Sequence, residues 1–150
     1  MLKFVLADPH ARNMSKREVS QLLARPNILR LAYIDESGDP AVHPVWYYYG
    51  KGKLFVTTDV GGAKARALRK SPAVYFLVDE SPKRGPPRGV RGKGTARVVD
   101  DPAYATKVTR RNVKRYLGTL TSRTAKTVLE MGADSCVIEI TPRYMATWKF

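Results

Sequence analysis

The sequence predicts a small antiparallel β-barrel whose ends are covered by helices, a mainly β domain with α elements (α+β). Three observations carry this. Six or seven runs rich in β-branched and aromatic residues follow one another. Most are joined by short turns rich in Gly, Pro, Asp and Ser, so sequential runs pair as neighbours. Helical patterns fall only at the start, middle and late positions, as covers rather than crossovers.

Residues 1–13 are expected to be a mobile N-terminal segment. Ser15-Lys-Arg-Glu18 is a capping box. Val19, Leu22 and Leu23 follow on one helical face, and Pro26 limits that helix to about 15–24. Ile28 to Ile34 reads as a strand, with a turn at Asp35–Pro40. Val42 to Tyr49 is a second strand, with Trp46 and three consecutive tyrosines. Gly50-Lys-Gly-Lys53 turns the chain into a third strand, Leu54 to Thr58, and the three form a meander. A short basic helix then stops before Pro72, since the residue preceding proline is disfavoured in the α region.

Ala73 to Asp79 is a fourth strand and Ser81 to Pro87 an exposed loop. Gly89 to Val99 is a strand with Gly92, Gly94 and Ala96 on one face, which permits close packing or a barrel bend. Asp100-Asp101-Pro102 opens a helix. Thr121 or Ser122 caps another that ends at Gly132. Ser135–Ile140 and Arg143–Phe150 complete the strands.

A chain of 150 residues is one domain, long enough to bury ~70% of its unfolded surface. No apolar run reaches the ~20 residues of a membrane span, and the N-terminal apolar stretch is too short for a signal peptide. The single cysteine, Cys136, forms no internal disulfide and suits a reducing, cytoplasmic setting. Two isolated histidines, His10 and His43, with one cysteine argue against a metal site. Neither a Ser-His-Asp pattern nor a carboxylate pair presents itself, so catalytic residues stay unassigned. The net charge of +14 points to an anionic partner. Six basic residues and no acidic one fall between Ser81 and Arg97, and seven and none between Pro102 and Leu129. A solvated basic face is the plainer reading of both.

Residues 55–72 hold the sharpest motif. A strand ends in Thr57-Thr58, Gly61-Gly62 follow, and a helix begins near Ala63-Lys64. Glycines let backbone approach an anion, free N–H groups at a helix start point at it, and Lys64 and Arg66 add charge. The pattern is that of a phosphate pocket, with a solvated helix face as its plain alternative. Trp46 and Tyr47–Tyr49 are either ligand walls or core and interface residues. His43 is structural or lies beside a ligand.

Together these stretches resemble the pyridoxamine 5′-phosphate oxidase-like family, the FMN-binding split barrels, from about residue 15 to 150. The resemblance is carried by Arg30-Leu-Ala-Tyr-Ile, His43-Pro-Val-Trp-Tyr-Tyr, Leu54-Phe-Val-Thr-Thr with Lys64, Leu68 and Ser71-Pro72, Val90-Arg-Gly-Lys-Gly-Thr-Ala-Arg-Val, and the closing Ile140–Phe150 segment. It implies a homodimer with two flavin sites at the interface and hydride transfer to or from a small molecule. It also implies that Lys64 holds the cofactor phosphate. His43, Pro44, Val45 and Trp46 then lie along the ring, and Thr57 and Thr58 touch the ring edge or ribityl chain. Relatives often carry Ser-Arg before the lysine; Gly62-Ala63 stand there instead, so backbone N–H groups, Arg66 or Arg30 are expected to compensate. FMN is the expected cofactor, with a deazaflavin coenzyme (F-420 type) as the alternative, since its acidic tail suits a chain of this charge. The oxidase activity itself is disfavoured, because Arg143-Tyr-Met145 lacks the family's Arg-x-His histidine. A non-enzymatic reading is a split barrel that binds nucleic acid or another polyanion through the basic helix at 103–117.

Overall fold

Eight strands and four helices make up the computed structural model, which describes residues 2–150. The strands are β1 (Lys3–Leu6), β2 (Leu29–Ile34), β3 (Pro40–Val45), β4 (Tyr48–Gly50), β5 (Lys53–Asp59), β6 (Ala73–Glu80), β7 (Arg88–Val99) and β8 (Ser135–Lys149). The helices are α1 (Lys16–Ala24), α2 (Ala63–Lys70), α3 (Pro102–Leu117) and α4 (Arg123–Met131). Among the described residues no helix is long and apolar enough to cross a membrane.

The strands form one sheet in the order β3-β2-β6-β7-β8-β5-β4. Its two edges, β3 and β4, are successive in the chain and separated only by Trp46 and Tyr47. The three Cα–Cα steps from Val45 to Tyr48 span at most about 11 Å. The sheet must therefore curl until its edges nearly meet, which makes a barrel split at residues 46–47. The expected single strand from Val42 to Tyr49 is thus two: β3 pairs with β2, and β4 pairs with β5. The expected three-strand meander is replaced by two hairpins at opposite edges of the sheet. Local strand propensity is the same on both sides of the break, so it carries no sign of the change of partner.

Two further expectations are corrected. The N-terminal segment is not free: β1 pairs parallel with Tyr144–Thr147, and Arg12 bridges to Lys149. Leu2 and Phe4 pack against the core, Met14 is buried, and its amide donates to Thr147 Oγ1 at 3.1 Å. The last two expected strands are one 15-residue strand, the central partner of β7 and β5.

The capping elements form as expected. Glu18 N donates to Ser15 Oγ (3.2 Å) and Ser15 N to Glu18 Oε2 (2.8 Å), so each satisfies the other's free amide. Asp101 caps α3, with Tyr104 N donating to its carboxylate, and Ser122 caps α4 through Ala125 N. The small-residue face of β7 is a packing necessity. A Cβ on Gly92 would lie 2.3 Å from Tyr144 O and 2.5 Å from the Phe76 ring.

The barrel interior holds Leu22, Leu29, Leu31, Tyr47, Leu54, Phe76, Ile138, Ile140 and Met145. A second, smaller cluster (Phe55, Val137, Ala105 and Val108) binds α3 to the outer face of β5 and β8. That placement puts α3 across the region just below the split.

Candidate functional site

A cleft of about 330 Å³ opens where the split, β5, α2 and α3 meet. Pro44, Val45 and Trp46 come from the end of β3 and the link to β4. Thr57 comes from β5, Lys64 from the first turn of α2, Thr109, Asn112 and Val113 from α3, and Val128 from α4. Residues picked from three separate stretches of sequence thus share one cavity.

Each wall has a local cause. Alternation along β5 sends Leu54 and Val56 into the barrel and Phe55 and Thr57 out toward α3. Thr57 therefore reaches the cleft, where Thr109 Oγ1 donates to its hydroxyl at 3.4 Å. Thr58 points the other way, and its carbonyl accepts the Cys136 thiol at 3.6 Å. Trp46 stacks on Tyr116 at 4.8 Å with the rings 3° from parallel. The Tyr116 hydroxyl donates to Asn27 O (2.6 Å) and accepts from Tyr47 N (3.3 Å), so this aromatic wall is braced.

Lys64 is half-buried in the cleft and, among the described residues, makes no ion pair or hydrogen bond. Burial pushes its ammonium below the ordinary lysine range, while the nearby Asp59 carboxylate pulls it back up. A desolvated cation facing a cavity is a marker of a functional site. Gly62 is the N-cap of α2 without a side-chain cap, so the first amides of α2 have no side chain to serve them.

Not every expected residue converges here. Arg30 is paired with Asp79, Nη1 to Oδ1 at 2.7 Å. Arg66 is held by Glu36 (3.0 Å) and by the Gly61 carbonyl. The two arginines expected to reinforce Lys64 are thus engaged elsewhere. His43 is exposed, edge-on to Tyr33 at 5.6 Å, and is not among the cleft walls. Ala63 is exposed at the start of α2.

Sequence reasoning missed the α3 contribution. Asn112 is 3% exposed, donates from Nδ2 to Phe55 O (3.4 Å), and leaves its Oδ1 buried without a partner. An orphaned buried acceptor is uncommon and marks a place where a donor is missing. The signal was available: Ala105, Val108, Thr109 and Asn112 share one helical face, and polar residues on an otherwise apolar face need a reason. Chemically, the cleft offers an aromatic wall, hydroxyl and amide groups, and one ammonium. That set suits a flat ligand with a polar edge and an anionic group.

Comparison with known proteins agrees with this arrangement. A family model described as pyridoxamine 5′-phosphate oxidase matches residues 15–149. No curated protein gives a significant match. Among solved structures, conserved hypothetical protein Rv2991 from Mycobacterium tuberculosis is 26% identical. It covers 95% of this chain and 88% of that one, with a TM-score of 0.79. A structure described as an F420 reductase is 27% identical over 85% of this chain and 94% of that one, with a TM-score of 0.66. A FAD-binding protein from Mesorhizobium loti shares the fold at 19% identity, with a TM-score of 0.72 over 94% and 99% of the two chains. With nearly the whole chain matched and the split barrel in place, the protein belongs to the pyridoxamine 5′-phosphate oxidase family.

Proposed function

We propose that this chain is a flavin-type oxidoreductase whose cleft binds a deazaflavin coenzyme, with Lys64 on its phosphate. The single observation that carries the reading is the isolation of Lys64. Arg30 and Arg66 are tied to Asp79 and Glu36, which leaves one half-buried cation at the start of α2. A deazaflavin of the F-420 type joins its phosphate in a diester, which carries one negative charge. The FMN phosphate is a monoester carrying about −1.5 to −2 at neutral pH. One ammonium balances the first and undercompensates the second. The likeness to an F420 reductase at 27% identity supports the same choice.

FMN is the second reading. It is favoured by the uncapped start of α2 behind Gly62, whose free amides can take a further share of phosphate charge.

The residues present fit either group. Trp46, held by Tyr116, gives a flat ring a wall, and Thr57 and Thr109 give hydroxyls for its polar chain. Asn112 also lines the cleft, with its Oδ1 buried and without a protein partner. The bound cofactor provides the hydride chemistry, and the protein provides position and charge. Lys64 anchors the anionic end and α3 closes the opposite side against water.

A homodimer completes the cleft in this reading. Ala32, Ile34, Pro40, Val42 and Pro44 lie on one face of the β2–β3 hairpin by their register, with Arg30 at its end opposite Pro44. Val42 is 61% exposed and Ile34 38%. Pro44 belongs both to this apolar face and to the cleft, so a second copy docked on the face reaches the cleft rim.

The test is calorimetric titration of the protein with a deazaflavin and, separately, with FMN at moderate salt. Saturable deazaflavin binding tighter than FMN supports the first reading. Tighter FMN binding replaces it with the second, and absence of both rejects the flavin-type assignment.

A further inference from the structure

Helix α3 walls a second cavity on its opposite flank. Tyr104 and Arg111 are seven residues apart and so lie within about 20° of each other around the helix. Thr109 and Val113 are turned away from them, toward the cleft described above. On the Tyr104 side, α3 faces the β4–β5 hairpin across a space of about 470 Å³, within the usual range for small-molecule pockets.

The floor of this space is aromatic. Tyr48 stacks on Phe55 at 4.6 Å, and the Arg111 guanidinium lies 3.9 Å over the Tyr48 ring. Glu139 sits beside them with its side chain 9% exposed. Arg97 pairs with one of its oxygens and the Tyr104 hydroxyl donates to the other at 3.0 Å. Both oxygens of that carboxylate are engaged, which weakens its repulsion of an anion at the mouth. The mouth itself is cationic. Lys51 and Lys53 of the hairpin turn line the space with Arg111; among the described residues none of the three forms a salt bridge, although Lys53 lies within Coulombic reach of Glu139. The contact with Tyr48 holds the guanidinium, and among the described residues its N–H groups make no hydrogen bond, so they are free to donate.

We infer that this cavity binds a small organic anion, with its apolar body on Phe55 and Tyr104 and its carboxylate, sulfonate or phosphate on Lys51, Lys53 and Arg111. The inference does not depend on which cofactor occupies the first cleft.

Anilinonaphthalene sulfonate is a suitable probe, because it joins a flat apolar body to one anionic group and becomes fluorescent in an apolar site. The folded full-length protein should bind one probe per chain in a saturable manner. The double change Lys53→Ala and Arg111→Ala should weaken binding by about tenfold or more at an unchanged melting temperature. Arg111→Ala alone should act in the same direction and stands in for the pair if the double variant does not fold. Two controls should leave affinity within about twofold: Lys64→Ala in the first cleft, and Lys107→Ala with Lys114→Ala, which removes the same charge elsewhere on α3. Non-saturable binding overturns the inference. So does equal loss in either control, or indifference to Arg111→Ala.

Discussion

Lys64 brings its charge into a place that half excludes water, and this sets how the cleft responds to pH. Burial lowers its pKa, so the unfolded chain holds that proton more tightly than the folded one. The uncharged form therefore gains ground in the folded protein at pH values still below the ordinary lysine range. An anionic ligand reverses this by favouring the ammonium. Affinity for a phosphate-bearing ligand should fall as alkaline pH rises through the lowered value, and binding in that window should take up a proton. Calorimetry in buffers of different ionisation enthalpy measures that uptake. Glu80 acts in the opposite sense. Burial alone would raise its pKa, but Arg25, Asn27 and Arg88 all donate to it and hold it at about 2 against an ordinary 4.5. Its contribution is complete above pH 4.5 and is lost as pH falls toward 2. Glu80→Gln should flatten that stretch of the acid unfolding curve and leave neutral stability lower by about 1–3 kcal/mol. At this scale the site was partly legible. Thr57 and Lys64 stand in a local strand–glycine–helix pattern that can be read without a fold. Asn112 and Thr109 reach the cleft only because α3 folds back across β5, and Arg30 and Arg66 are diverted by acids 49 and 30 residues away.

The joint between α1, α3 and the split holds the elements around the cleft. Arg115 was expected as part of a basic face, but it is structural. Its guanidinium donates to Tyr47 O (3.1 Å), Ala24 O (2.9 Å) and Arg25 O (3.4 Å), joining the split to the end of α1. Tyr47 is fully buried and donates to Leu23 O at 3.0 Å. Arg115→Lys keeps the charge but not the fork. It should cost about 1–3 kcal/mol in thermal or denaturant unfolding, while Lys107→Ala on the same helix should stay within about 0.5 kcal/mol. With Arg115 committed inward, the remaining exposed α3 cations, Lys107, Arg110, Arg111 and Lys114, fall within about 100° of helix circumference. Helix starts were readable because Ser15, Asp101 and Ser122 cap through contacts three residues long. Strand partners were not. Apart from Pro44, the residues from Val42 to Tyr49 have strand character throughout, and only closure of the sheet makes them exchange β2 for β5. Gly92 shows what that closure demands, and Gly92→Ala should destabilise by about 1–3 kcal/mol through overpacking against Phe76 and the β8 backbone.

For the whole molecule, a split barrel leaves two features unpaid by a single chain: an apolar face on β2–β3 and a cleft open at its edge. Both are met by a second copy in the proposed arrangement. Val42→Asp places a charge in the middle of that face, so light scattering should show a dimer for the parent chain and a monomer for the variant. The net charge of +14 gives long-range attraction for an acidic coenzyme, and its affinity should fall as salt is raised. The family was legible in the order of weak local motifs along nearly the whole chain. The choice of cofactor was not, since it rests on where two arginines go after folding. The most direct test of the central claim is the deazaflavin dissociation constant of the parent chain against Lys64→Ala, measured by titration at fixed pH and salt. Saturable binding, weakened about tenfold or more by the substitution, is expected. Equal affinity in the two proteins would contradict the claim.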